Sequence, residues 1–181
     1  QPKSARRNSA ALDFARTPAG VYLSVMIRHI VFFTLKSPAE IALLRRAIAI
    51  TDEAQLAAMR AVRPGANEGQ VHALVDYTFR MQGASGPSFR AIIGSGPNST
   101  SYHYRANDRV MQSGEVVVMD IGALYDDYAA DVTRTVPVSG TFSPDQAAIY
   151  AVVRQALQAA GAVAKAGAPV RVGESAIRAV L

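Results

Sequence analysis

The 181-residue chain is half apolar and only 18% charged, which provides for one domain with a core and excludes disorder of the whole. The absence of cysteine excludes disulfides, thiolate nucleophiles and sulfur-held zinc or iron, and limits any metal to oxygen and imidazole donors. The net charge of +5 sits in residues 1–36, where six Lys/Arg face Asp13 alone; residues 37–181 carry thirteen of each sign, so nucleic acid is not an expected partner.

Residues 1–35 read as a basic leader or the end of a preceding domain. Their apolar stretch, Val21 to Phe33, contains Arg28 and His29, is too short to span a bilayer and lacks the cleavage pattern of a signal peptide. No membrane partner is expected, and the location expected is cytoplasmic. Because the chain starts at Gln1 rather than Met, it reads as cut at its N-terminus.

Ser37-Pro38-Ala39-Glu40 is a capping box with proline at the first helical position. It predicts a helix with Ile41, Leu44, Ile48, Leu56, Met59 and Val62 on its apolar face, ending at Pro64-Gly65. Asn67-Glu68 opens a second helix with Val71, Leu74, Val75 and Phe79 inward, stopping near Gly83. A glycine- and proline-punctuated loop follows, with a strand predicted over Phe89 to Ile93.

Strands are predicted over about 115–123 and 128–138, joined by a turn at Leu124 to Asp127. Ser143-Pro144-Asp145-Gln146 then repeats the capping pattern and opens an alanine-rich helix to about Lys165. After a break at Gly167 to Pro169, a last helix is predicted to run through Leu181. The order helix, turn, helix thus occurs twice, the second time without the strands that follow the first.

Asp120 and Asp131 each lie inside an otherwise strand-like apolar run, where an uncompensated carboxylate costs several kcal/mol unless paired, hydrogen-bonded, protonated or metal-bound. With Tyr125-Asp126 at the hairpin tip, Asp120 falls opposite Asp131, about 5 Å apart on one face, a spacing at which two carboxylates share divalent ions. Strand alternation sends Arg134 to the other face, so it is not Asp131's partner. Asp126 and Asp127 suit a turn.

Asp120-Ile-Gly-Ala-x-Tyr and Tyr128-Ala-x-Asp131-Val-Thr-Arg-Thr-x-Pro-Val together resemble the metal-binding hairpin of the pita-bread metallopeptidases, in particular Xaa-Pro aminopeptidase and prolidase. Lys36-Ser-Pro-Ala-Glu-Ile resembles the start of their catalytic domain, and Ser95-Gly96-Pro97-Asn98 with His103-Tyr104 resembles their substrate-side loop. The resemblance implies an α/β (α+β) partial pita-bread fold, a curved, mainly antiparallel sheet with helices outside, with residues 36–181 as the N-terminal part of the catalytic domain. It implies two divalent metal ions, with manganese preferred over cobalt or zinc; Asp120 would hold one ion and Asp131 bridge both. Such ions activate water and polarise the scissile carbonyl. His103 is implied as the catalytic hydrogen-bond donor near that carbonyl and, with Tyr104, as substrate-binding. The implied partner is a peptide with proline at its second position, and a homodimer is compatible with the family.

The family completes its metal site with one histidine and two glutamates beyond the second aspartate. This chain has no histidine after His103, and its acids past Asp131 are Asp145 and Glu174, both at expected helix N-termini. Two of five ligands are therefore present, and the chain alone is expected to bind metal weakly and show no peptidase activity. It reads as part of an Xaa-Pro aminopeptidase; the alternatives are a prolidase-type dipeptidase or a non-catalytic binding module on the same fold.

Overall fold

The structure, a computed structural model, describes residues 37–181; the readings for the basic leader, including the Val21 to Phe33 stretch, lie outside the described residues. Helix α1 (Pro38–Ala61) begins as its sequence predicts: the Ser37 hydroxyl accepts the Glu40 amide at 3.3 Å, with Pro38 in the first turn. Its buried stripe differs from the expected one. Ala47, Ile50, Thr51, Ala54, Gln55, Ala58 and Met59 face inward, while Ile41 is exposed and Leu44, Ile48 and Leu56 are half-buried. Small residues allow close approach to the sheet. Thr51 and Gln55 tolerate burial because both hydrogen-bond backbone groups across that contact.

Helix α2 (Glu68–Met81) follows Asn67, whose side chain and that of Gln70 form a reciprocal capping box. Its inward face is the predicted one, with Val71, Val75 and Phe79 buried. These side chains share one core with Ile50, Ile93, Val117, Met119 and Ile121.

All strand pairs are antiparallel and fall into two three-stranded sheets. One has β2 (Ile92–Ser95), β3 (Val116–Ile121) and β6 (Val132–Pro137) in the order β2-β3-β6; the other joins β1 (Gly86–Pro87), β4 (Ala123–Tyr125) and β5 (Tyr128–Ala129) in the order β1-β4-β5. The strand expected over Phe89 to Ile93 is thus displaced toward Ser95. The hairpin expected to be continuous breaks at Gly122 and at Ala130-Asp131. A Cβ at Gly122 would overlap the Ala130 carbonyl oxygen, so a side chain there would force the strands apart.

The break is well satisfied. Ser88 donates its amide to the Gly122 carbonyl at 2.8 Å and its hydroxyl to the Ala130 carbonyl at 2.7 Å. From α1, Thr51 Oγ1 accepts the Ala123 amide at 3.0 Å, and Gln55 Nε2 donates to the Met119 and Val132 carbonyls at 3.0 and 2.7 Å. Backbone groups at the break are thus met by the Ser88 amide and by the side chains of Ser88, Thr51 and Gln55.

The C-terminal helices are α3 (Pro144–Val163), with a reciprocal Ser143–Gln146 capping box, and α4 (Val170–Arg178), which ends short of the expected Leu181. Helix α3 stands off the sheet. A cavity of about 470 Å³ separates its Tyr150 and Val153 from Val116, Thr133 and Thr135.

Candidate functional site

The tip of the hairpin decides where the two aspartates stand. Asp126 and Asp127 both adopt left-handed backbone, φ 45° and 64°, as a two-residue turn of this type requires. Aspartate tolerates that region better than tyrosine, so the tip is Asp126-Asp127 rather than Tyr125-Asp126, and Tyr125 pairs with Tyr128. The expected opposition of Asp120 and Asp131 is therefore corrected: Asp120 lies opposite Thr133. Asp131 precedes Thr133 by two residues, immediately before β6, so the carboxylates are offset diagonally; on a regular ribbon that offset is about 7–8 Å between Cα atoms.

Asp120 occupies the half-buried face of β3, away from the core face of Val117, Met119 and Ile121. Its Oδ1 accepts the Thr133 hydroxyl at 2.8 Å, which orients the carboxylate. Asp131 is also half-buried; its Oδ1 is sequestered from solvent and accepts no hydrogen bond, while the residue is engaged by another interaction. Arg134 lies on the core face with Val132 and Val136, as alternation requires, and donates to the Thr133 carbonyl at 2.7 Å. Burial lowers its pKa from the ordinary value, partly offset by the field of Asp52.

The donor set of Asp120 and Asp131 consists of hard carboxylate oxygens, one already oriented by a hydroxyl, which fits manganese, cobalt or zinc as part of a larger ligand set. Among the described residues, no group of three or more His, Asp or Glu is arranged to hold a metal.

The second part of the site is the segment from Ser95 to Arg109. It opens with a 3-10 turn at Gly96–Thr100 packed beside β2 and β3. His103 is exposed and left-handed at φ 51°, an uncommon state for a side-chain-bearing residue. Tyr104 is half-buried, and its hydroxyl contacts Glu68 Oε2 at 2.8 Å and Asp108 Oδ1 at 3.2 Å. That hydroxyl points to protein partners. Burial, then the bond to Glu68, pushes the phenol up to about 12.

Glu68 is the residue that the sequence reading missed. It is fully buried, and its carboxylate accepts from the Ser95 amide and hydroxyl, both at 2.7 Å, the Asn98 amide group at 3.3 Å and the Arg109 amide at 3.1 Å, besides Tyr104. Burial alone would raise its pKa; the Ser95 donors, Tyr104 and the Arg109 amide outweigh it and hold the group below the ordinary value. Beside it, Arg109 and Glu115 form a bidentate pair at 2.5 and 2.6 Å, and Asn107 caps the β2 backbone by accepting the Ile93 amide and donating to the Ala91 carbonyl. At position 68 the sequence shows an acid in a first helical turn, a pattern that ordinarily means solvent exposure, and the partners lie 27 to 41 residues away.

Residues 42–181 match the sequence profile of metallopeptidase family M24. The chain is 43% identical over 123 residues to the Xaa-Pro aminopeptidase of Escherichia coli, covering 68% of this chain and 28% of that protein. It is 37% identical over 147 residues to an Xaa-Pro dipeptidase of Pyrococcus furiosus, covering 81% and 42%. Among solved structures it is similar to Pseudomonas aeruginosa aminopeptidase PepP, with a TM-score of 0.78, 36% identity and coverage of 80% and 33%. A variant of E. coli aminopeptidase P in complex with substrate gives a TM-score of 0.68 at 42% identity, covering 69% and 28%. These likenesses bear out the partial pita-bread architecture, and the chain spans well under half the length of these relatives.

Proposed function

Because the chain belongs to metallopeptidase family M24, we propose that it is the N-terminal part, residues 36–181, of the catalytic domain of an Xaa-Pro aminopeptidase, which removes the residue preceding proline from a peptide's N-terminus. The observation that carries this reading is the aspartate hairpin, with Asp120 oriented by Thr133 and Asp131 beside it at the break of the ribbon. Asp120 would hold one ion and Asp131 would bridge two, with manganese the preferred metal. The ions, when bound, supply Lewis acidity toward the scissile carbonyl and activation of water.

The chain's own residues do the rest. Thr133 holds the Asp120 carboxylate through Oδ1, which would leave its remaining acceptor capacity for an ion. His103, exposed on the segment after the 3-10 turn, would donate a hydrogen bond to the substrate near the reacting carbonyl, which stabilises charge that develops only in the transition state. Tyr104 would offer its ring to the peptide. The similarity to a Pyrococcus dipeptidase over 81% of the chain favours a second reading, cleavage of Xaa-Pro dipeptides by the same site.

The test is hydrolysis of an Xaa-Pro-Xaa tripeptide and an Xaa-Pro dipeptide by the complete protein, before and after metal removal. Chelation is expected to abolish release of the N-terminal residue from the tripeptide, and added manganese to restore it. Turnover that survives metal removal would contradict the reading, and cleavage of the dipeptide alone would select the dipeptidase.

A further inference from the structure

We propose that Glu68 is the positioning residue of the His103 segment: its buried carboxylate gathers Ser95, Asn98, Tyr104 and Arg109 and thereby fixes where His103 stands. The proposal rests on the role given to His103 above. Neither the catalytic donor set nor the metal hairpin includes Glu68, and its place in α2 is remote in sequence from the loop it holds.

A carboxylate has about four lone-pair sites, and this one is saturated: Oε1 takes Ser95 twice and Asn98 once, while Oε2 takes Tyr104 and the Arg109 amide. The five bonds span both ends of the segment. Ser95 and Asn98 secure its start, Tyr104 its middle and Arg109 its return toward β3. Ser95 is tied again by Arg109 Nη1 at 3.0 Å, and Arg109 to Glu115, so the hub is braced from its second side.

His103 itself is exposed and meets the exposed Tyr102 edge-on, so burial does not hold it. Its left-handed backbone persists only if its neighbours over-determine it. The anchored Tyr104 is the adjacent residue. Glutamine at position 68 keeps the shape but presents an amide nitrogen on one side, where a backbone N–H, that of Ser95 or of Arg109, is left facing a donor and the hydroxyl partner must turn round to accept.

The experiment uses the complete protein with Glu68→Gln, His103→Ala and the double variant. Glu68→Gln is expected to lower kcat about 10–100-fold, with a smaller rise in KM because Tyr104 is loosened with the segment. In the His103→Ala background the same change should cost about twofold or less, because the group being positioned is gone. Amides 95–109 should exchange hydrogen faster in Glu68→Gln while those of β3 keep their protection, which separates loosening of the loop from general unfolding. Fully multiplicative losses in the double variant, or loop exchange identical to wild type, would overturn the proposal. His103→Ala with undiminished turnover would instead overturn the functional reading, and loop exchange would still decide whether Glu68 holds the segment.

Discussion

Helices α1 and α3 begin with the same local instruction, a serine cap, proline at the first helical position and Glu or Gln two residues later, yet they end in opposite environments. Seven residues of α1 are buried, two of them polar and hydrogen-bonded to the hairpin; in α3 only Ala156 is buried, while Ile149 and Val153 are 67% and 53% exposed. Capping fixes where a helix starts and says nothing about what it packs on. α1 has a sheet against it, whereas α3 faces the cavity of about 470 Å³ beside β6.

The contrast can be broken by mutation. Phe79→Ala, in the core shared with α1, should cost about 3–5 kcal/mol in denaturant unfolding of the complete protein, since the side chain is fully buried. A loss below 1 kcal/mol would mean that the α1–α2 side is not the stable half. At the other extreme, Val153→Ala should change stability by no more than about 0.5 kcal/mol. If its cost rivalled that of Phe79→Ala, α3 would be buried in the complete protein and the difference between the helices would lie in what covers them.

Much of this was legible in the sequence because it is written locally. The caps of α1, α2 and α3, the inward face of α2 and the antiparallel strands around the aspartates follow from spacing alone. What was not legible depends on distant partners or on backbone strain. The inward stripe of α1 is alanine, threonine and glutamine, which hydrophobicity misassigns, and only the broken ribbon across from it explains Thr51 and Gln55. The ribbon breaks because Gly122 lets two strands approach, and its register follows from which two residues accept positive φ. Glu68 was hidden for the same reason, since its five donors come from residues 95–109. Asp120 and Asp131 could be singled out by residue type but not placed: their expected opposition gave way to an offset with Thr133 facing Asp120.

The most direct measurement is the metal content of the complete protein and of its Asp131→Asn variant, by elemental analysis after equilibration with manganese. The account predicts two ions per wild-type chain, and in the variant loss of at least one ion together with loss of Xaa-Pro cleavage, at unchanged thermal stability of the metal-free forms. A variant that retains two ions and full turnover would contradict it.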